Sequence, residues 1–386
     1  MNAGHLQLIE LDDIGALRIA GADAVRFLQG QLSNDLIRVS AERSVLAGLH
    51  NPQGRTIALL RILQLAPDDL LALLPRELTE TVAARLSKYV LRAHVRLSDE
   101  SQRWRISGLV GAGALHPSPP SALPRVAGAQ HRLGDRLFLC VGEQPERWLM
   151  IAPAAAATPP GDELPATTPA GRDTWRQLDI IAGLPQVYGA TSEQFIAQML
   201  NLDVIGAIAF DKGCYTGQEV IARAHYRGRV KRRLQRFRSR GPLALEPGDN
   251  GELTDGRAFK VVEAVRLEDG RCEFLAVAPL PSVEPELAAA PQPDATLERV
   301  SAPLGARPVP GASAALTRTN VGAPATGAAL HATVPPELGT TGAFWAPFAT
   351  APAAPHRADA GTLPASPAAE LPHDIERLEL PYALPD

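Results

Sequence analysis

Lysine is nearly missing from this chain. Its 386 residues carry 38 basic side chains, and only four of these, Lys88, Lys212, Lys231 and Lys260, are lysine. With so many Ala and Pro beside the arginines, the bias points to a GC-rich genome and makes each retained lysine informative. Cysteine is scarcer still. Cys140, Cys214 and Cys272 are odd in number and far apart, and no CxxC or Cys/His run has zinc-ligand spacing. Neither a disulfide framework nor a zinc site is implied, no metal is expected, and the setting to expect is reducing and cytoplasmic. Nothing approaches eighteen consecutive apolar residues, so no membrane-spanning helix is expected. The opening MNAGHLQLIELDDIGAL lacks the basic flank and apolar stretch of a signal peptide. There is no Walker A sequence and no HExxH, and the glycines of Gly108 to Gly113 are wrongly spaced for a dinucleotide fingerprint. A net charge of −4 leaves any nucleic-acid or membrane role to a local patch. The histidines are scattered, and none pairs visibly with a nucleophile.

What is present is ordinary for a globular protein, with 45% hydrophobic and 21% charged residues and enough length for two or three domains. Ile14 to Ala20 reads as a strand, followed by a helix capped by Asp23 and running through Phe27, Leu28 and Leu32. Val45 to Leu49 and Thr56 to Leu65 read as strands either side of an Asn51-Pro52-Gln53-Gly54 turn. After a short strand at Leu70 to Leu74, Pro75 opens a helix with apolar face Leu78, Val82, Leu86 and Tyr89 or Val90. His94 to Leu97 returns as a strand. Strand, helix, strands, helix, strand is the split βαβ pattern of ferredoxin-like folds.

Farther along, strands at Arg136 to Val141 and Trp148 to Ala152 are flanked by Ala/Pro/Gly-rich loops, Gly111 to Ala129 and Ala152 to Gly171. Two helices follow, Asp173 to Ala182 and Ser192 to Leu202, the second capped by Ser192. Short strands from Leu234 to Pro279 suggest a small antiparallel barrel, to which Ile375 to Leu380 adds a last strand. Between them, residues 281–372 hold 25 Ala and 16 Pro in 92 residues, without sustained periodicity. Such a segment is expected to be a disordered insert, its one distinctive feature being the aromatic island Phe344-Trp345-Ala346-Pro347-Phe348.

The chemistry concentrates in DKGCYTGQEVIARAHYRGRVKRRL, Asp211 to Leu234. Gly213 and Gly217 let the backbone turn tightly and approach a ligand. Cys214 lies between them, next in sequence to Lys212 and close to arginines, a setting that favours a reactive thiolate. Gln218 and Glu219 offer the amide and carboxylate that would recognise a heterocycle edge. Spacing alone fits equally well a glycine-rich turn around a buried, inert cysteine. Where arginine is otherwise used throughout, a lysine at 212 suggests that a compact ammonium is wanted there. Residues 223–240 add eight Arg and one Lys with no acid among them. They read either as a site for an anionic partner, through Arg227, Arg229, Lys231 and Arg232, or as an exposed strand with solvated charges.

The eight residues Lys212-Gly213-Cys214-Tyr215-Thr216-Gly217-Gln218-Glu219 resemble the K-G-C-[YF]-x-G-Q-E signature of the YgfZ-type folate-binding proteins, relatives of the glycine-cleavage T-protein (aminomethyltransferase). The resemblance extends to Ala182-Gly183-Leu184-Pro185, to Gln198 through Leu202, and to Ile221-Ala222-Arg223. It continues through Arg227 to Arg232, through Phe27 to Asp35 with its Asn34-Asp35 end, and through Leu380-Pro381-Tyr382. It covers roughly residues 1–280 and the last dozen. It implies an α+β, three-domain ring with ferredoxin-like α/β domains and a C-terminal antiparallel β-barrel. The domains would be 1–110, the folate-binding N-terminal one; 111–232, which carries the signature; and 233–280 with 373–386, the barrel. The 281–372 insert stands outside them.

The resemblance further implies a monomer that binds tetrahydrofolate or a derivative. Its role would be in assembly or repair of iron–sulfur proteins and, through these, in tRNA modification. Cys214 would be the working thiol, with Lys212 beside it. Tyr215, Gly213, Gly217, Gln218, Glu219, Arg223, Asn34 and Asp35 would serve the folate. Two departures matter. The T-protein's catalytic Asp falls at Ala58 or Leu59 here, so aminomethyl transfer has no obvious general acid or base; its folate-binding Glu falls at Ile181, which removes a carboxylate from pterin recognition and would weaken binding. A folate-dependent one-carbon transferase and a direct tRNA-binding module remain as alternatives.

Overall fold

The computed structural model describes residues 6–111, 123–156, 167–228, 230–281 and 374–385. These belong to one compact unit formed by Met1–Val283 with Ala368–Asp386. The Ala/Pro-rich insert, including its aromatic island, lies outside the described residues apart from Pro281, and so does Arg229.

The first sheet is ordered Val45–His50, Thr56–Ala66, Asp69–Pro75, Ile14–Ala20, Arg96–Asp99, with every neighbour antiparallel. Setting aside Val45–His50 at its edge, this is the split order read from the sequence. Helices α1 (Ala24–Gln29) and α2 (Thr79–Ser87) cover one face, burying Leu17, Ile19, Leu60, Ile62, Leu70 and Ala72 among Phe27, Leu28, Val82 and Leu86. The opposite face, Ala16, Leu63, Leu71 and Leu73, is buried against a second sheet. Burial on both sides explains why these strands read as near-continuous apolar runs.

Helix α1 is shorter than expected. It stops at Gly30, and Leu32 instead bridges to Leu49. Asp23 stands at its N-cap position, but its carboxylate accepts from the His94 N–H at 2.8 Å, tying the helix entry to the returning chain.

The second sheet runs Thr167–Pro169, Leu6–Glu10, Trp104–Gly111, Glu146–Pro153, Arg136–Glu143, Gln130–Leu133, antiparallel except for the first pair. Helix α3 (Arg172–Ile181) lies on it. Trp175 of α3 fills the space where a side chain at Gly108 would stand, so that glycine serves helix–sheet packing rather than a dinucleotide.

The third sheet is curled and wholly antiparallel: Asn250–Glu252, Ala258–Arg266, Arg271–Pro279, Arg232–Pro242, Ile375–Leu378. Phe237, Phe259 and Phe274 pack together on its concave side, with ring centroids 5.4–6.2 Å apart. The expected last strand is present and pairs with Arg236–Ser239. Beyond it, Tyr382 Oη donates to the Gly183 carbonyl at 2.7 Å. Gly183 has φ 63°, and a side chain there would meet that hydroxyl.

Two expectations fail. Ser192 to Leu202 is not an α-helix but a series of turns with a single 3₁₀ turn, Ala197–Leu200. Glu193 and Asn201 sit at φ 59° and 56°, conformations no right-handed helix contains. Ser192 Oγ donates to the Ile57 carbonyl at 2.7 Å instead of capping. Conversely, Gln218–Arg227 forms a helix, α4, where a turn and an exposed strand were expected. Its only buried side chain is Ile221, which is why no amphipathic period announces it.

Candidate functional site

The signature segment is a turn leading into α4. Gly217, at φ 83°, precedes the helix, and a Cβ there would lie 2.5 Å from the Asn51 carbonyl. Its glycine character therefore allows close approach to the Asn51–Gly54 turn, whose Gly54 in turn touches Val220. A side chain at Gly213 would meet open space.

Lys212 explains why an ammonium is wanted. Its Nζ donates to the carbonyls of Leu32, Gln29 and Asn34 at 2.6, 2.7 and 2.9 Å. These carbonyls stand at the end of α1 and just beyond it, without helical partners of their own, and one compact trivalent donor satisfies all three. Burial pulls the Lys212 pKa down to about 8, against the carboxylate of Asp35. All three hydrogens being engaged, Lys212 is an anchor for the turn rather than a free amine. Its Nζ also lies 5.0 Å from the centre of the buried Tyr215 ring.

Cys214 is exposed, whereas Cys140 and Cys272 are buried. The inert-cysteine reading of the motif therefore does not describe its position. Burial raises the thiols of Cys140 and Cys272.

Asn34 and Asp35 are tied into the same structure. Asn34 Nδ2 donates to the carbonyls of Leu46 and Gly206 at 2.7 and 2.8 Å. Asp35 caps the short turn Leu36–Arg38 through the Ile37 N–H and accepts from Gln29. Arg38 pairs with both Asp35 and Asp211, linking this region to the start of the signature.

The basic run resolves differently from either expectation. Arg233 is buried and forms a bidentate pair with Asp203, both contacts at 3.0 Å. Arg236 and Arg238 both pair with Glu273, which is wholly buried. Arg240 meets Asp374, and Arg232 donates to the Ala258 carbonyl. The neutralising acids Asp203, Glu273 and Asp374 lie outside the run, so part of its excess of charge is balanced within the fold. Among the described residues, Arg223, Arg227 and Lys231 remain exposed without an acidic partner. Gln218 and Glu219 stand in the first turn of α4, Glu219 exposed.

A concave site lies elsewhere. At one end of the contact between the first and second sheets, the layers separate into two chambers of about 80 and 290 Å³. Leu46, Arg61, Val141 and Leu184 line both. The inner chamber is walled by Ile14, Leu59, Leu73, Leu74, Leu149, Trp175 and Pro185, with Asp179 and Gln186 as further polar groups. The outer chamber adds Asn34, Arg38, Arg43 and Ser44. Apolar walls with few polar groups are the usual composition of a small-molecule site.

Of the sequence-predicted residues, only Asn34 lines this cavity; Lys212, Cys214, Tyr215, Gln218, Glu219 and Arg223 do not. Asp179 is its one acid. Burial raises the pKa of this carboxyl, opposed by Arg147, whose guanidinium donates to Asp179 Oδ1 at 2.7 Å. Arg147 also lies 5.2 Å over the Trp175 ring. Sequence reasoning missed this group. Its signal was an arginine inside each of two buried-strand patterns, Ile57-Ala58-Leu59-Leu60-Arg61-Ile62 and Arg147-Trp148-Leu149-Met150-Ile151.

Comparison with known proteins places the fold. No protein-family model matches the chain. The structure of the glycine cleavage system aminomethyltransferase T from Bartonella henselae superimposes with a TM-score of 0.55 at 15% identity. The match covers 72% of this chain and 79% of that one. The chain has an aminomethyltransferase-like fold. A heterotetrameric sarcosine oxidase from Corynebacterium sp. U-96 also matches, at 16% identity over 39% of this chain and 76% of that one, with a TM-score of 0.29. Among the described residues, no helix is long and apolar enough to cross a membrane.

Proposed function

We propose that this chain is a folate-binding protein of the cytoplasm that supports assembly or repair of iron–sulfur proteins, and through them tRNA modification. The observation that carries the folate reading is the two-chambered cavity between the sheets, in a chain with an aminomethyltransferase-like fold and a complete signature at Lys212 to Glu219. Its residues suit the ligand: aliphatic walls and Trp175 for a flat ring system, Asp179 and Gln186 for a heterocycle edge, and arginines toward the outer chamber for carboxylates.

Aminomethyl transfer is disfavoured by what stands at the expected acid. Ala58 and Leu59 are both buried, and the cavity's single acid is already paired with Arg147. Direct tRNA binding would rest on Arg227, Lys231 and Arg232 of the basic run, since Arg233, Arg236, Arg238 and Arg240 pair with acids of the same unit.

The accessory role rests on Cys214, an exposed thiol on a turn that Lys212 fastens in place and outside the lining of the cavity. Titration of the purified protein with tetrahydrofolate should give saturable binding that Cys214→Ser leaves intact. In a deletion strain, Cys214→Ser should fail to restore iron–sulfur enzyme activity. Absence of folate binding would sink the first part, and full rescue by Cys214→Ser the second.

A further inference from the structure

Helix α4 is lightly held. Of its ten residues only Ile221 is buried, and the Gln198 side-chain amide, itself wholly buried, donates to the Ile221 carbonyl at 2.6 Å. A surface helix ordinarily buries an apolar stripe of about 100° or more. Along one flank of α4 a hollow of about 440 Å³ separates Ala224, His225 and Gly228 from Val204, Ala383 and Leu384. The outward stripe is Val220, Arg223, Tyr226 and Arg227, which share a face at helical spacing and are all exposed. Tyr226 is 68% exposed, yet its ring is fixed: it packs edge-on against His225 and Phe210, which stack on each other with centroids 3.8 Å apart. A fixed tyrosine presented to solvent beside arginines has the composition of an anchor in a protein–protein interface. The charge along the helix is graded. Arg223, Arg227 and Lys231 have no acidic partner among the described residues, whereas the acids Asp211 and Glu219 stand at the end of the segment that carries the exposed Cys214.

We propose that α4 is the docking surface for an acidic segment of the protein that Cys214 serves. Carboxylates of that segment pair with Arg223, Arg227 and Lys231, and an apolar side chain packs on Tyr226 and Val220. The graded charge sets the direction of the segment, so that the partner's reacting group faces Cys214. This rests on the accessory reading of Cys214 above. The helix is about 15 Å long, so about five extended residues reach from Arg227 to the turn that bears the thiol. A single-stranded nucleic acid fits less well. Phe210 and His225 occupy each other's faces, which leaves one ring where successive bases want several. The acids at the Cys214 end would also repel a phosphate backbone that followed the helix.

The test uses peptides of one length that alternate leucine with glutamate, glutamine or lysine, each ending in a cysteine activated as its pyridyl disulfide. Attack by the Cys214 thiolate joins the peptide to the full chain through a new disulfide and releases pyridinethione, whose absorbance gives the rate. Cys214→Ser supplies the blank. Docking on α4 raises the local concentration of the activated disulfide, so the glutamate peptide should label about tenfold faster than the glutamine peptide, and the lysine peptide slower still. Arg223→Glu/Arg227→Glu should erase the advantage of the glutamate peptide and pass it to the lysine peptide. Tyr226→Ala should reduce it about fivefold or more. Both variants should react with dithiodipyridine, a small neutral reagent, at the wild-type rate, which separates docking from the reactivity of the thiol. Equal wild-type rates for the three peptides would overturn the inference, as would a charge reversal without effect. Suppression of the labelling by a short single-stranded RNA, at lower concentration than by the glutamate peptide without its cysteine, would assign the surface to nucleic acid instead. The accessory reading falls separately, on full rescue of the deletion strain by Cys214→Ser, which leaves the peptide rates where they are.

Discussion

Lys212 closes the end of the first helix: its ammonium group donates to the Leu32 carbonyl at 2.6 Å across 180 residues of sequence. With the bonds to Gln29 and Asn34, it joins the signature turn to the first sheet's helical layer. Lys212→Met keeps the stem and removes the donors, leaving three part-buried carbonyls unpaired. It should cost about 3 kcal/mol in urea unfolding. Lys212→Arg should recover little of this, since a planar fork cannot address three carbonyls around one nitrogen. A loss below about 1 kcal/mol for Lys212→Met would contradict the anchoring role.

Arg233 and Asp203 form a buried pair, with side-chain exposures of 5% and 6%. Arg233 also donates to the Gln198 carbonyl and to Asn201 Oδ1. Arg233→Met should destabilise by about 3–5 kcal/mol, because Asp203 is left charged in an apolar setting. The double variant Arg233→Met/Asp203→Leu should be more stable than the single one, since the stranded charge is gone. Guanidinium unfolding of the wild type, both singles and the double closes the cycle.

Glu263 should give the protein a pH-dependent stability. Burial pushes its carboxyl up to about 7, although the Tyr188 hydroxyl donates to it at 2.5 Å and Arg176 attracts it. A carboxyl whose pKa is raised on folding favours the protonated folded state. Its contribution is therefore complete below the ordinary glutamate range, near 4.5, and is lost as pH rises through about 7. The loss is on the order of 3 kcal/mol. Glu263→Gln keeps a neutral polar side chain and should flatten the melting temperature between pH 5 and pH 8, where that of the wild type declines.

Much of this fold was legible in the sequence because its first sheet is built from local signals. Short apolar runs, the Asn51–Gly54 turn and the 78/82/86 spacing each report on a few adjacent residues. The last strand was legible for the same reason. Helix α4 was not, because a helix that buries little besides Ile221 has no apolar stripe to detect. Ser192 to Leu202 misled in the opposite sense. Its good helix-forming residues are overridden by left-handed Glu193, whose carboxylate is claimed by Asn51 and Arg85, and by Asn201, held by the Leu234 carbonyl.

The site divides along similar lines. The signature marks a turn that carries an exposed thiol and is held by Lys212. The cavity was beyond reach because Arg61, Asp179 and Arg147 are brought near one another only by the packing of the two sheets and α3, and no spacing along the chain encodes such a meeting. The arginine run shows the reverse error: a cluster in sequence is dispersed in space, with Arg233, Arg236, Arg238 and Arg240 each finding an acid outside the run.

The third sheet sets a minimum length for the chain that joins its last two strands. Arg271–Pro279 and Ile375–Leu378 flank the same strand, both antiparallel to it, and so run in the same direction. One ends opposite Arg232 and the other begins opposite Ser239, so the connection must travel back along the strand by about 23 Å, the span of seven extended residues. Residues 282–373 provide 92. A crossover of about a dozen residues satisfies the topology. The path that brings Tyr382 back to Gly183 therefore asks for only a small part of that length.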